Sequence, residues 1–299
     1  MSRLLKELRS VKESLKLFMS HKMGMAGIVV FGIRGIIVIF APYLRTVDPM
    51  ETGVVENILQ PPSAQFWFGT DHVARDVWSQ TIYGARIALL VGFVAAFFTV
   101  GIGTLVGLVA GYFGGIVEDV LMSITDFFLM LPYLPLMIVL TAVLGPSIWN
   151  IIFVVSIVYW PYTARVIRSQ VLFLKQRAFV EASRSVGASD SLLIFGEIMP
   201  NVVPLMFAEA VLMVTSAIYS EAVLAFLGLG GPTTISWGMM LNFAFQTGYI
   251  GRAPWWVIPP GSVYLCHNNR LYFFGDRCKR YNETRIQGSK GVVTKDGIT

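Results

Sequence analysis

The chain has 299 residues, of which 55% are hydrophobic and only 14% are charged, and its net charge is +5. A soluble domain carries about 25% charged residues, so this composition excludes an ordinary soluble globular protein. The apolar residues fall in long blocks separated by charged segments, which is typical of an integral membrane protein with helical spans.

Residues 1–85 are predicted to form an N-terminal unit. Leucines recur at helical spacing among basic residues before residue 23, which favours an amphipathic helix at the membrane interface. A first apolar span follows at 23–44, interrupted by Arg34. Residues 45–85 then form a long outside segment that contains Trp67 and Trp78.

Residues 86–275 are predicted to be the main transmembrane domain, followed by a tail at 276–299. Ile87 to Tyr112 has no charged residue and is long enough to cross a hydrocarbon core of about 30 Å. Three more apolar blocks follow at 120–144, 147–164 and 202–229, and a weaker one begins at Trp255. The sequence therefore predicts an all-α membrane protein with six transmembrane helices, the sixth being the weakest.

Glycines and prolines punctuate these spans. Gly103, Gly107, Gly111 and Gly115 recur every fourth residue and would make a smooth ridge on one helix. That ridge is either a surface on which helices slide or ordinary packing within the subunit, and packing is favoured. Prolines inside or beside spans are candidate kinks: Pro132, Pro135, Pro161 and Pro204.

Residues 178–200 form the one charged, turn-rich stretch between two long apolar spans. Its first part favours a short helix, and Gly187 can take the left-handed conformation that ends such a helix. Ala188-Ser189-Asp190 can cap a second short helix that leads to the next span. The predicted functional residues of this helix-turn-helix are Glu181, Ala182, Ser183, Gly187, Ile198 and Pro200.

This pattern resembles the EAA loop of ABC-importer permeases, which docks into a groove on the ATP-hydrolysing subunit. The family pattern is Glu-Ala-Ala, then Gly, then Ile-x-Leu-Pro; here Ser183 replaces the second Ala and Met199 replaces the Leu. Other stretches resemble the dipeptide/oligopeptide class, in register, over roughly residues 24–262. They are Phe68-Gly69-Thr70-Asp71, Arg75-Asp76-Val77, Tyr83-Gly84-Ala85-Arg86, the run from Glu221 to Gly230, Ser236-Trp237-Gly238 and Ala253-Pro254-Trp255-Trp256.

The resemblance implies a type I ABC-importer permease, most similar to the C-type subunit of the two-permease pair. It also implies a related permease as partner, two ATPase subunits and an extracytoplasmic substrate-binding protein. Peptides are the default cargo, although relatives carry oligosaccharides or nickel. Residues 178–200 would transmit the ATPase movement, and residues 45–85 would either receive the binding protein or form a simple aromatic belt.

Three acidic residues lie inside the predicted spans, at Asp126, Glu209 and Glu221. Carboxylates are costly in hydrocarbon, so they should face protein or water. They either line a translocation path or form structural hydrogen bonds, and the structural role is slightly favoured. An ion-coupled secondary transporter would use them for coupling and is one alternative; a non-transporting receptor or scaffold component is another.

The sequence carries no catalytic or cofactor motif. It has no Gly-x-x-x-x-Gly-Lys-[Ser/Thr] loop, so ATP hydrolysis is expected on a separate subunit. The isolated histidines His21, His72 and His267, and the cysteines Cys266 and Cys278, form no metal-binding pattern. No enzyme activity, metal or cofactor is therefore predicted.

The basic residues predict the orientation in the membrane. All but five of the 23 Lys and Arg lie in the N-terminal segment, in 165–184 or in the tail. By the positive-inside rule both termini and the 178–200 loop should be cytoplasmic in a prokaryotic inner membrane. The net charge therefore reports topology rather than nucleic-acid binding.

Two features depart from the family pattern. After Gly261 the family continues with an apolar span, but here Cys266-His267-Asn268-Asn269-Arg270 interrupts it. Either these residues face a protein interior or the chain beyond about residue 262 is aberrant, and the short apolar run from Trp255 to Leu265 favours the second. Arg34 costs a few kcal/mol at mid-membrane on insertion scales.

Overall fold

The computed structural model describes residues 40, 43, 45, 47–231 and 234–264. This part of the chain is helical and contains no β-strand, only an isolated bridge between Thr70 and Asp76. The predictions for the N-terminal amphipathic helix, the first span with Arg34, the 266–270 interruption and the tail lie outside the described residues.

The described helices follow one another with short connections. A 3₁₀ turn at Val55–Asn57 precedes them, and residues 254–264 are helical at the end of the described part. The α-helices with complete bounds are α1 (Val77–Phe113), α2 (Gly115–Met130), α3 (Tyr133–Leu144), α4 (Ile148–Lys175), α5 (Ala178–Ser185), α6 (Met199–Phe226) and α7 (Trp237–Gln246).

Within the described residues, three helices are long and apolar enough to cross a membrane: α1, α4 and the continuous helix Leu192–Phe226. They confirm the spans predicted at 87–112, 147–164 and 202–229. Both α1 and α4 extend past the predicted blocks, because a charged residue does not by itself end a helix. Helix α1 begins at Val77, ten residues before the uncharged block. The side chain of Asp76 caps this helix by accepting a hydrogen bond of 3.0 Å from the N–H of Ser79.

The apolar block predicted as one span at 120–144 is divided between two helices, with the candidate kink Pro132 at the division. Helices α2 and α3 meet at an angle of 89°, and together they are at most one broken span or a re-entrant loop. Pro132 has no N–H to donate, and its ring forces the preceding residue out of helical geometry. Leu131 accordingly has φ −77° and ψ 134°. By contrast, Pro161 and Pro204 lie inside continuous helices.

Glycines let α1 pack closely against α4. A Cβ at Gly103 would lie 2.6 Å from Thr163 Cβ, and one at Gly111 would lie 2.8 Å from Val171 Cβ. Gly107 is equally close to α4, so packing within the subunit explains these three positions. Gly115 does not continue the ridge as predicted, because α1 ends at Phe113 and a Cβ at Gly115 would meet nothing within 4 Å.

Buried apolar side chains form a core along the whole helical bundle. One cluster joins α1, α6 and α7 at the end that carries the 47–76 segment, around Trp237 and Trp256. A second lies between α1, α3 and α4 around Met137. A third, at the opposite end, joins α1, α4 and α6 to the 178–200 segment around Ile167 and Val180. We call these two ends of the bundle the outer end and the loop end.

Candidate functional site

A tight turn at Gly187 joins the two helical parts of the 178–200 segment. Gly187 has φ +84°, and its N–H donates to the carbonyl oxygen of Arg184 at 3.0 Å. The N–H of Ala188 donates to the carbonyl oxygen of Ser183 at 3.1 Å, which completes a Schellman motif. A Cβ at Gly187 would meet nothing within 4 Å, so only the backbone conformation requires glycine there.

The sequence predicted that the helix after this turn would be short and separate from the next span. In the structure this helix continues through Pro200 instead. A π-helical stretch, Leu192–Ile198, passes directly into α6. Pro200 has no N–H for an α-helical hydrogen bond, and a wider π turn lets the chain continue without one. The second half of the segment is therefore a rigid extension of a membrane-spanning helix.

The 178–200 segment has an apolar inner face. Val180, Leu193 and Ile198 have exposed fractions of 0%, 1% and 0%. They pack in the loop-end cluster with residues of α1, α4 and α6, including Leu108 and Ile167. This face therefore fixes the segment on the ends of three long helices.

Four large apolar side chains of the same segment are exposed in the described chain. The exposed side chains, with their exposed fractions, are Phe179 (40%), Val186 (85%), Leu192 (44%) and Phe195 (59%). We call these four residues the apolar patch. Large exposed apolar patches on a protein surface mark interaction sites.

The six predicted residues occupy different parts of this element. Glu181, Ala182, Gly187 and Pro200 are exposed, and Ser183 is half-buried. Ile198 is buried, so it holds the segment on the bundle and does not face outward. No ion pair to Glu181 is present in the described chain, so its charge is available at the surface.

Tyr112 joins the segment to the bundle, although it was not among the predicted functional residues. Its hydroxyl group donates a hydrogen bond to Asp190 Oδ1, across 78 positions of sequence. Lys175 Nζ donates to its backbone carbonyl oxygen, and the Arg184 guanidinium lies 6.0 Å from its ring centroid. A tyrosine that ends an apolar block has no distinctive local signal, so only the three-dimensional contacts identify it.

The three intramembrane acids are not brought together. Asp126, on α2, is exposed and pairs with Arg165 of α4. Glu209 and Glu221 are both buried in α6, twelve positions apart, which is about 18 Å along a helix. Glu221 is hydrogen-bonded to Ser236, the N-cap residue of α7. Two of the three acids thus make identifiable contacts between helices.

A second ion pair lies beside the first. Glu118 of α2 pairs with Arg168 of α4, and both ion pairs line an open cavity of about 270 Å³ together with Asp119. The two pairs hold the first helix of the bent pair against α4. Among the described residues no group of His, Cys, Asp and Glu side chains could hold a metal ion.

At the outer end, the stretches that resemble the peptide-permease class pack against one another. Gly69 has φ +69°, and a Cβ there would lie 2.6 Å from Trp255 Cδ1. The Trp255 indole N–H donates to the carbonyl oxygen of Thr70 at 3.4 Å. Asp71 is buried and accepts a hydrogen bond from Gln80 Nε2 at 3.0 Å. These motif residues therefore build a fixed connection between the outer segment, α1 and the last described helix.

His72 belongs to this outer connection. Its ring stacks on Trp256 with a centroid distance of 5.0 Å and lies 5.6 Å from Phe243. Burial lowers the pKa of His72, and the positive charge of Arg75 lowers it further, against the opposing charge of Asp71. The neutral imidazole is therefore the form that this packing favours.

The geometry agrees with comparisons with known proteins. The family of binding-protein-dependent transport system inner membrane components matches residues 103–266, which include the whole 178–200 segment. The chain belongs to this family. A second family model, the N-terminal TM domain of oligopeptide transport permease C, matches residues 11–62. The chain is thus an inner-membrane permease component of an ABC importer and not the subunit that hydrolyses ATP.

Relatives resemble this permease over most of its length. The dipeptide transport system permease protein DppC of Alkalihalophilus pseudofirmus is 37% identical over 251 residues, which are 84% of this chain and 82% of that protein. The oligopeptide transport system permease protein OppC of Bacillus subtilis is 37% identical over 87% of this chain and 85% of its own length. The probable D,D-dipeptide transport system permease protein DdpC of Escherichia coli is 35% identical over 88% and 87%.

Solved structures support the same fold. Inward facing conformations of the MetNI methionine ABC transporter match 68% of this permease and 96% of the compared chain, with a TM-score of 0.54 and 22% identity. The fold is therefore that of a type I ABC-importer transmembrane domain, as predicted. Family membership does not support the alternatives of an ion-coupled secondary transporter or a non-transporting scaffold.

Proposed function

We propose that this permease imports dipeptides or oligopeptides, together with a second permease, two ATPase subunits and an extracytoplasmic binding protein. The observation that carries the coupling role is the two-faced 178–200 segment. Its inner face is packed on three long helices, and its apolar patch has no cover in the described chain. An ATPase groove that covers the patch would remove these apolar side chains from water, and burial of apolar surface favours protein association.

The docked segment transmits movement because it is continuous with the bundle. Leu192–Phe226 forms one helix, so a displacement of the patch moves a membrane-spanning helix directly. Val180 and Leu193 connect the same displacement to α1 and α4 through the loop-end cluster. ATP binding would close the ATPase dimer, draw the two permease segments with it and open the path outward; hydrolysis would reset it.

The acids have structural roles in this proposal. The Asp126–Arg165 and Glu118–Arg168 pairs join α2 to α4, and Glu221 joins α6 to α7 through Ser236. The bent pair α2–α3 can then move with α4 as a unit. The acids do not serve as a coupled-ion site, because Glu209 and Glu221 are separated along α6 and Asp126 lies on another helix.

The proposed orientation places the loop end in the cytoplasm and the outer end outside, with both termini cytoplasmic. In the described chain, the loop end carries Lys175, Arg177 and Arg184 close together. The outer end presents an ordered surface with exposed Val55 and Trp67, on which a binding protein would deliver its substrate. The positive-inside rule supports this direction.

Peptide transport is proposed from the relatives, whose names specify dipeptides, D,D-dipeptides and oligopeptides. Oligosaccharides or nickel are the alternative cargoes. Because the soluble binding protein selects the substrate in this scheme, direct binding measurements on the cognate protein decide between them. Micromolar or tighter binding of peptides, without binding of sugars or nickel, is the expected result.

Two matched variants test the docking role. Val186→Glu puts a charge in the apolar patch, and Val55→Glu puts the same charge on an equally exposed valine at the outer end (85% and 81% exposed). Val186→Glu should reduce co-purification of the ATPase with the permease pair, since a charge buried in the interface must be desolvated. Val55→Glu should leave it unchanged. Equal ATPase recovery in both variants would refute docking at the patch.

A further inference from the structure

Tyr112 lies where the ends of several elements meet. It is in the last turn of α1 and only 4% exposed. Its hydroxyl group reaches Asp190, at the start of the helical extension that leads into α6. Lys175, the last residue of α4, donates to its carbonyl oxygen, and Arg184 of α5 lies beside its ring. One side chain thus contacts α4, α5 and the 190–198 extension.

We propose that Tyr112 is a positioning residue that transmits the movement of the 178–200 segment to α1, an inference that rests on the proposed coupling function. The contacts that Val180, Leu193 and Ile198 make between the segment and the bundle are apolar. Apolar contacts are not directional and permit sliding. The bond between the Tyr112 hydroxyl and the Asp190 carboxylate is directional, and hydrogen bonds to an ionised group are the strong ones.

The surroundings of Tyr112 make this link rigid. Lys175 binds the Tyr112 carbonyl oxygen at the C-terminal end of α1, where a positive charge is stabilised by the helix dipole. One residue earlier, a Cβ at Gly111 would lie 2.8 Å from Val171 Cβ, so α1 and α4 are in close contact at this level. A pull on Asp190 therefore acts on the ends of α1 and α4 together.

Two basic residues lie beside the Tyr112 ring. Lys175 Nζ lies 5.7 Å from the centroid of the Tyr112 ring, and the Arg184 guanidinium lies 6.0 Å from it. The hydroxyl group of the same ring binds the carboxylate of Asp190. Without the hydroxyl group, the aromatic packing and both cation–ring contacts remain. Tyr112→Phe therefore removes the hydroxyl group with its hydrogen bonds to Asp190 and Arg184, and little else.

The test uses the complete complex, with partner permease, ATPase and binding protein, in proteoliposomes. Tyr112→Phe should keep the bound ATPase and its ATP hydrolysis but import about tenfold less substrate per ATP, a change of about 1.4 kcal/mol, within the range of a hydrogen bond to a charged group. Asp190→Ala, which removes the acceptor, should give a similar loss, and the double variant should be no worse than either single one. Tyr133→Phe, at a half-exposed tyrosine of α3, is the matched control and should import normally.

The outcomes separate this inference from the coupling proposal. Unchanged import per ATP in Tyr112→Phe overturns the inference and leaves ATPase docking intact. Loss of the ATPase from that variant also overturns it, because Tyr112 would then only anchor the docking surface. If Tyr112→Phe does not assemble, the Asp190→Ala variant, at an exposed position, gives the same decision. A wild-type complex without any ATP-dependent import would instead refute the proposed function itself.

Discussion

The indole N–H of Trp237 donates a hydrogen bond of 2.9 Å to the backbone carbonyl oxygen of Thr81, 156 positions earlier in the chain. The same ring fills the space beside Gly84, where a Cβ would lie 2.6 Å from Trp237 Cδ1. On the next residue, a Cβ at Gly238 would lie 2.4 Å from the carbonyl oxygen of Ala222. These contacts explain why three family-like stretches, around residues 84, 222 and 237, occur together: each fits against another.

The first prediction follows from the space beside Gly84. Gly84→Ala should lower the stability of the permease by about 1–3 kcal/mol, because the added methyl group overpacks against buried Trp237. Gly101→Ala is the matched control on the same helix, since a Cβ there meets nothing within 4 Å. Melting temperatures of the two purified variants in detergent provide the comparison. Equal melting temperatures would show that Trp237 does not fill this space.

The second prediction concerns the turn at Gly187. Gly187→Val must hold a β-branched residue at φ +84°, which costs about 1–2 kcal/mol or straightens the turn. ATPase affinity should fall by up to about tenfold. Gly187→Asn should bind almost normally, because asparagine tolerates the left-handed conformation. Titration of the purified ATPase onto each permease pair measures this, and equal affinities for Val and Asn would contradict the turn requirement.

A charge reversal extends the second prediction to the surface next to the turn. Glu181→Lys changes an exposed side chain on α5 without altering the turn or the inner face. It should weaken ATPase attachment while leaving the melting temperature of the permease pair unchanged. Normal attachment together with normal ATP hydrolysis would mean that the partner does not contact this helix.

The third prediction is a pH dependence set by His72. Burial lowers its pKa in the folded protein, so protonation favours the unfolded state. The stabilising contribution is fully present above the unfolded pKa of about 6.5 and is lost as the pH falls below it toward the lower folded value. Melting temperatures between about pH 8 and pH 5 should therefore decline at the acidic end. His72→Phe, which keeps an aromatic ring on Trp256, should reduce that decline; an unchanged profile would contradict the assignment.

The fourth prediction concerns orientation. After the natural cysteines Cys266 and Cys278 are replaced by serine, Val55→Cys should react with a membrane-impermeant thiol reagent in intact cells. Val186→Cys should react only after the cells are opened, although the two positions are almost equally exposed. Reaction of intact cells at position 186 but not at position 55 would contradict the predicted orientation.

Local patterns in the sequence predicted much of the fold. Long apolar blocks identified α1, α4 and α6, because a membrane span needs only length and composition. The left-handed conformation of Gly187 was predicted because helices commonly end at a residue in that conformation, which is a local requirement. The sequence also flagged Pro132 as a possible kink, but a proline alone does not distinguish a mild kink from the observed 89° bend.

Contacts between distant residues could not be predicted in the same way. Tyr112 and Asp190 are 78 positions apart, and the sequence predicted Asp190 only as part of a helix cap. Ile198 was assigned to the ATPase-coupling loop from its place in a motif, and only the structure shows that its side chain is buried. Periodicity shows that an apolar residue belongs to a face, but only the packed bundle shows whether that face points inward or toward a partner.

Substrate import by the reconstituted complex tests the central claim most directly. The permease, its partner, the ATPase and a binding protein loaded with labelled dipeptide are placed in proteoliposomes, with and without ATP and with ionophores that collapse ion gradients. We predict import that requires ATP and the ATPase, persists with ionophores and falls sharply in Val186→Glu but not in Val55→Glu. Import that follows an ion gradient and continues without the ATPase would contradict the account.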